Sequence, residues 1–414
     1  MSKNTIVEFQ NPAFRDALTE VLRQGAQRLI KEAVQSELKA FLAGHGESRD
    51  ERGRQAVVGN GYLPEREIVT GIGLVPVQVP KTRDRLGAGR GFRSQLLPPY
   101  LKKTRRLEAV IPWLYLKGVS TNDFDEALQA LFGASVPGLS PASIARLKQG
   151  WEREYATWRR RDLSRERWVY VWADGIYVNS RAEERRCLLV VIGCDSRGQK
   201  RFLAIDEGLR ESKESWHAVL LDLQGRGLSI APELAVGDGG MGFWAALAEV
   251  FPQTRAQRCW VHKTVNVLDK LPKSLQAQAK TGLHDLWQAG SRAEAERAFD
   301  RFVSTYRAKY PKAVECLRKD RIALLAFYDF PAAHWQHLRT SNPIESTFAT
   351  IRLRTAKTRN CVSARTAVTL IHQLGMSAQK RWRRLRGFRQ LADVIAGVKF
   401  IDGVDERNIS RKAA

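Results

Sequence analysis

Three carboxylates occupy positions where a carboxylate calls for an explanation. Asp174 lies inside Arg167-Trp-Val-Tyr-Val-Trp-Ala-Asp174-Gly-Ile-Tyr-Val178, a run crowded with aromatic and β-branched residues and therefore read as a β-strand. Asp is depleted from strands, and an uncompensated buried charge costs several kcal/mol or forces a large pKa shift. A cationic side chain, a strand-end turn or a metal ion would each compensate it. Asp238 closes a second apolar run, Pro232 to Asp238, and is followed by Gly-Gly. Glu345 stands three residues after Asn342, with Pro343 between them. This spacing is close to a capping box, and it equally puts Glu345 on the first turn of a helix that could face the two aspartates.

Cys259-x-x-His262 is a fourth candidate. Zinc needs four ligands, and Cys187, Cys194, Cys316 and Cys361 offer no matching pair, so a structural zinc site is not expected. His262 could orient a phosphate. Trp260 could stack on an unpaired base or simply pack in the core.

The elements around these residues follow from pattern. Strands are read at 167–178, 186–194 and 200–205, forming an antiparallel meander. A helix over 215–223, a strand over 232–238, a helix over 243–250 and a strand over about 255–261 come next. A helical crossover makes the fourth strand parallel to the first, which brings Asp174 and Asp238 onto adjacent strands near the switch in strand order. From Thr264 to about Pro331 the pattern is helical throughout, with a capping box at Ser291-x-x-Glu294. Upstream, residues 12 to about 44 form a helix, 68–79 a small hairpin, and 81–106 a linker with nine Lys or Arg against one acid, Asp84. Three further helices, near 106–116, 121–132 and 140–160, resemble a helix-turn-helix.

Charge supplies the partner. The 414 residues carry 68 Lys and Arg against 44 Asp and Glu, a net charge of +24, which points to a polyanion and first of all to nucleic acid. At 43% hydrophobic and 27% charged, the composition is that of a globular protein. No apolar run approaches the ~20 residues of a membrane span, no apolar leader is visible, and the odd, scattered cysteines fit a reducing cytoplasm. Phosphate contacts are expected from Lys102, Lys103, Arg105 and Arg106, from Arg352, Arg354, Lys357 and Arg359 after Glu345, and from Arg381, Arg383 and Arg384 in the basic run 380–389.

Together, Trp172-Ala-Asp174-Gly, Gly237-Asp238-Gly, Arg258-Cys-Trp-Val-His262-Lys and Ser341-Asn-Pro-Ile-Glu345-Ser resemble the prokaryotic Mutator-type family of insertion-sequence transposases over essentially the whole chain. The turn at Gly237 and Gly240 is richer in glycine than the resemblance leads one to expect. The resemblance implies an α/β fold, an RNase H-like mixed five-stranded sheet flanked by helices, with an all-α insertion and an α-rich N-terminal DNA-binding region. The implied divisions are 1–60, 61–105, 106–160, a catalytic domain of 165–263 with 340–360, the insertion 264–339, and a basic region 361–414. It further implies an Asp174–Asp238–Glu345 triad holding Mg²⁺ or Mn²⁺, with His262 at the catalytic centre. Two cations ~4 Å apart can serve an in-line displacement at phosphorus. The implied partners are double-stranded DNA, as terminal inverted repeats and target, and a second protomer; the implied location is the bacterial cytoplasm, at the nucleoid. A non-catalytic DNA-binding relative of a transposase, and a nuclease that cuts without joining, are the alternatives.

Overall fold

The computed structural model describes residues 17–104, 141–178, 186–208, 210–341, 344 and 364–408, and it divides into two compact units, Met1–Leu147 and Lys148–Ala414. In the first unit, α1 (Ala17–Ala43) precedes two small antiparallel pairs: β1 (Val57–Tyr62) with β4 (Pro80–Asp84), and β2 (Arg66–Thr70) with β3 (Gly73–Val77). The hairpin anticipated at 68–79 is the β2–β3 pair. Val34 of the helix packs with Ile68, Val75, Val77, Val79 and Leu97. Most of the helix's apolar stripe does not join this core: Leu18, Val21, Leu22 and Leu29 are exposed.

The segment expected to be a basic linker is held in place instead. Residues 80–84 are a strand, the Arg66 guanidinium donates to the carbonyls of Leu97, Pro98, Pro99 and Leu101, and Val69 exchanges backbone hydrogen bonds with Lys102 and Thr104. A stretch of carbonyls without a sheet partner is satisfied by one five-donor side chain. Of the helix-turn-helix-like region, the first two helices lie outside the described residues.

The second unit is built on one mixed sheet. β5 (Trp168–Val178), β6 (Arg186–Asp195) and β7 (Lys200–Gly208) form the antiparallel meander; α3 (Lys213–Gly225) crosses over to β8 (Leu234–Gly237), and α4 (Met241–Val250) leads to β9 (Arg255–Arg258). The order is β7-β6-β5-β8-β9, with β8 parallel to both β5 and β9. This is the arrangement expected from the strand and crossover pattern. One face of the sheet buries Trp168, Val171, Leu189 and Leu203 under α3 and α4 through Trp216, Leu220, Phe243 and Leu247. On the other side Tyr170 donates to or accepts from His334 at 2.9 Å, and the Trp172 indole donates to the His337 carbonyl.

The last strand stops earlier than its composition suggests. Cys259 N–H donates to the Gly237 carbonyl, and β8 ends there, leaving Trp260 and Val261 no strand to pair with. The chain therefore turns directly into α5 (Trp260–Leu268). The insertion continues with α6 (Lys273–Gln288), α7 (Arg292–Tyr306), α8 (Pro311–Arg318) and the short α9 (Arg321–Leu324). Ser291 caps α7 by accepting from Glu294 N–H, as its spacing predicts. Ahead of the sheet, α2 (Pro141–Arg159) lays Tyr155 on β7, its hydroxyl donating to the Ile205 carbonyl. Among the described residues, no helix is long and apolar enough to cross a membrane.

Candidate functional site

In the parallel pairing of β5 with β8, Ala173 lies opposite Gly237. Asp174 and Asp238 are the next residues: Asp238 follows the carboxyl end of β8, and Asp174 lies level with it inside β5, where the parallel pairing stops and β5 continues with β6 alone. Asp174 is buried, and its Oδ1 accepts from Gly175 N–H at 2.9 Å. Asp238 is half-buried; its Oδ1 accepts from Gly240 N–H at 2.7 Å, while its carbonyl accepts from the Trp244 indole and from Arg258. The Arg258 guanidinium lies over the Trp244 ring and also pairs with Asp320, which in turn holds the buried Lys263. The backbone beneath Asp238 is thus fixed from β9, from α4 and from the insertion.

A carboxylate that the sequence did not single out joins them. Glu211, just ahead of α3, is pushed up to about 7 by burial and then by the charges of Asp238 and Asp174; a hydrogen bond with Tyr177 opposes the shift. Glycine makes room for it. A Cβ on Gly175 would stand 2.3 Å from Glu211 Oε1, and one on Gly240 would stand 3.3 Å from Oε2 and 3.0 Å from Asp238 Oδ1. On Gly242 it would meet the Glu211 carbonyl oxygen at 2.3 Å. The glycine-rich turn after Asp238 is the mould for this acid. Cys187 Sγ faces Glu211 at 4.0 Å, and burial and that carboxylate push its thiol up to about 12.

His262 sits on the first turn of α5, close enough to the aspartates to feel both. A hydrogen bond with Cys259 raises its imidazole, burial opposes, and Asp174 and Asp238 raise it further, to about 9. Trp260 is different: the ring is buried and its N–H donates to the Leu324 carbonyl. It has no exposed face on which a base could stack, which corrects that expectation. The Cys259 thiol accepts from both Ser341 N–H and Ser341 Oγ at 3.3 Å, and Trp260 N–H donates to the Arg339 carbonyl. The Cys-x-x-His stretch therefore clips the chain beside Asp238 immediately before Ile344, which is buried.

Glu345, Arg352, Arg354, Lys357 and Arg359 lie outside the described residues, as do Arg105 and Arg106. Lys102 is exposed and Lys103 bridges Val69. Arg381, Arg383 and Arg384 are exposed, but they follow α10 (Ala364–Gln379) as a loop, not as a helix face, and Leu385 ties the loop to the β6–β7 turn through Gly198. That turn is level with Trp168, six residues and so roughly 20 Å along β5 from Asp174. Of the described candidates, the structure brings together Asp174, Asp238 and His262, and adds Glu211.

The donor chemistry fits a hard divalent cation, which takes oxygen ligands: Asp174 and Asp238 lie on adjacent strands, and their charges add to burial in raising Glu211 beside them. Among the described residues, no group of three His, Cys, Asp or Glu is close enough to hold a metal by itself.

Comparison with known proteins gives the same direction. The family model for the transposases of the Mutator family matches residues 2–385. The transposase for insertion sequence element IST2 of Acidithiobacillus ferrooxidans is 52% identical over 280 residues, covering 67% of this chain and 95% of that protein. The transposase for IS6120 of Mycolicibacterium smegmatis is 45% identical over 298 residues, covering 72% and 92%. The transposase for IS905 of Lactococcus lactis is 28% identical over 389 residues, covering 92% and 96%. A strand order that juxtaposes two aspartates, a Cys-x-x-His clip beside them and this match along the chain lead to one assignment: the protein belongs to the Mutator family of transposases.

Proposed function

We propose that the chain is a DNA transposase that binds the ends of an insertion sequence, cleaves DNA to expose 3′-OH groups and joins them to another phosphodiester. The observation that carries this reading is the placement of Asp174 and Asp238 on adjacent strands, each the residue after the last parallel pair of β5 with β8. The five-stranded order, with a meander followed by two helical crossovers, supports an RNase H-like assignment. Asp174 and Asp238, with Glu345 as the third carboxylate, would hold Mg²⁺, or Mn²⁺ in its place. When bound, the cations supply charge neutralisation and activation of the attacking oxygen.

The chain's own groups do the rest. Arg258 and Trp244 fix the Asp238 backbone so that its carboxylate stays beside that of Asp174. His262, its imidazole raised by Cys259 and by the aspartates, would offer an N–H to a phosphate oxygen drawn in beside them. Glu211, raised to about 7, binds a proton more readily than an ordinary carboxyl, and positive charge entering the site would favour its release. A second protomer is part of the proposal, because two element ends must be brought together.

The test uses purified protein, a labelled duplex carrying the element's end, and Mg²⁺ or a chelator. Joined products that disappear with Asp174→Asn, Asp238→Asn or Glu345→Gln support transposition. Cleavage without joining makes the protein a nuclease, and binding with neither makes it a DNA-binding relative.

A further inference from the structure

A cavity of about 460 Å³ opens beside Asp238 and Gly239 and runs between α5 and α8 into the helical insertion. Asn266 and Lys270 line it from one side, Lys312 and Glu315 from the other, with Lys319 just beyond α8. Lys263 at its floor is neutralised by Asp320. Lys270, Lys312 and Lys319 are exposed and enter no ion pair among the described residues, and apart from Asp238 at the mouth, Glu315 is the one acid on the walls. Lys312 and Lys319 are seven residues apart, two helical turns or roughly 10 Å, which is about three phosphate-to-phosphate steps of ~3.4 Å along the axis of a B-form strand.

We propose that this cleft is a DNA-strand channel: the three lysines hold the phosphate backbone of the strand that passes Asp238, and Asn266 serves it as a neutral donor at the mouth. Lysine suits such a channel, since an ammonium on a flexible stem contacts phosphates without reading sequence. The exposed arginines at 381–384 are anchored at the far end of the sheet, whereas this cluster begins at the catalytic carboxylate. The orientation of the strand toward Asp238 rests on the function proposed above; the binding of DNA in the cleft does not.

The experiment measures the affinity of the full chain for a fluorescent duplex with a single-stranded 3′ extension across a range of salt concentrations. The triple variant Lys270→Glu, Lys312→Glu, Lys319→Glu is compared with a control of equal charge, Lys273→Glu, Lys280→Glu, Lys309→Glu, from exposed positions outside the cavity. The channel variant should bind at least about tenfold more weakly, and its slope of log affinity against log salt should fall by roughly two to three, at about 0.7 to 0.9 per lost phosphate contact. The control should lose less than about one. The single variant Glu315→Lys should tighten binding. Equal losses in the two triple variants, or no change in the channel variant with its melting curve intact, would overturn the proposal. Cleavage is scored separately: a protein that never cuts but loses its salt slope in the channel variant keeps the channel and discards the transposase chemistry.

Discussion

A glycine beside an acid is informative only when something specific would occupy its Cβ. Gly175 and Gly242 both border Glu211, yet they face different atoms. The Cβ at 175 meets the end of a flexible side chain, and at 242 it meets backbone. Gly242→Ala should therefore lower the melting temperature, by the equivalent of about 1–3 kcal/mol, while Gly175→Ala should leave folding nearly intact and displace the Glu211 carboxylate. Thermal denaturation of the pair checks this. Glu211 itself sets a pH dependence. Its folded pKa of about 7 lies above the unfolded 4.5, so between these values the folded protein binds more protons and stability falls as pH rises. Glu211→Gln should flatten that decline in metal-free denaturation curves; an unchanged slope would remove Glu211 from the account. Asp174 and Asp238 were legible in the sequence because a carboxylate in or at the end of an apolar strand is anomalous. Glu211 was not. It lies in a polar loop near Glu207 and Glu214, and its only trace was the excess of glycine around Asp238, which has meaning once three separate segments are seen to converge.

Among the elements, the sheet was the most readable part. Strand alternation, two helical crossovers and their fixed handedness leave few alternatives, and the order β7-β6-β5-β8-β9 follows. The misreading at 255–261 shows where local propensity fails: Trp260 and Val261 favour strands, but a strand needs a neighbour, and β8 has ended. Trp260 then goes to the core. Trp260→Ala should cost about 3–5 kcal/mol in chemical denaturation, whereas Trp260→Phe, which keeps much of the packing, should bind DNA as the parent does. A loss of DNA affinity in a fully folded Trp260→Phe would return the ring to the interface. Composition likewise hides the order of the basic segment 81–106, described as far as residue 104, because nothing in a run of Lys and Arg reveals that Arg66 collects the carbonyls of Leu97, Pro98, Pro99 and Leu101.

At the level of the whole chain, +24 makes the encounter with DNA largely electrostatic. Affinity for any duplex should fall steeply with salt, by roughly 10³ to 10⁵ between 50 and 200 mM if six to ten phosphates are contacted. An affinity insensitive to salt would sink that expectation. Charge alone did not say where the contacts are, because basic residues are spread through both units, and only the folded arrangement distinguishes those beside the aspartates from those at the far end of the sheet.

The clip between Cys259 and Ser341 has a further consequence. It joins the chain where the helical insertion leaves the sheet to the point where it returns, and Trp260 N–H with the Arg339 carbonyl doubles the join. The insertion is thus a closed loop with its neck sealed beside Asp238. The entropy of closing such a loop grows only logarithmically, by about 0.6 kcal/mol for each doubling of length. Helices can therefore be gained or lost beyond the neck at small thermodynamic cost to the site below it, leaving the reach of this arm free to change while the carboxylates stay in register.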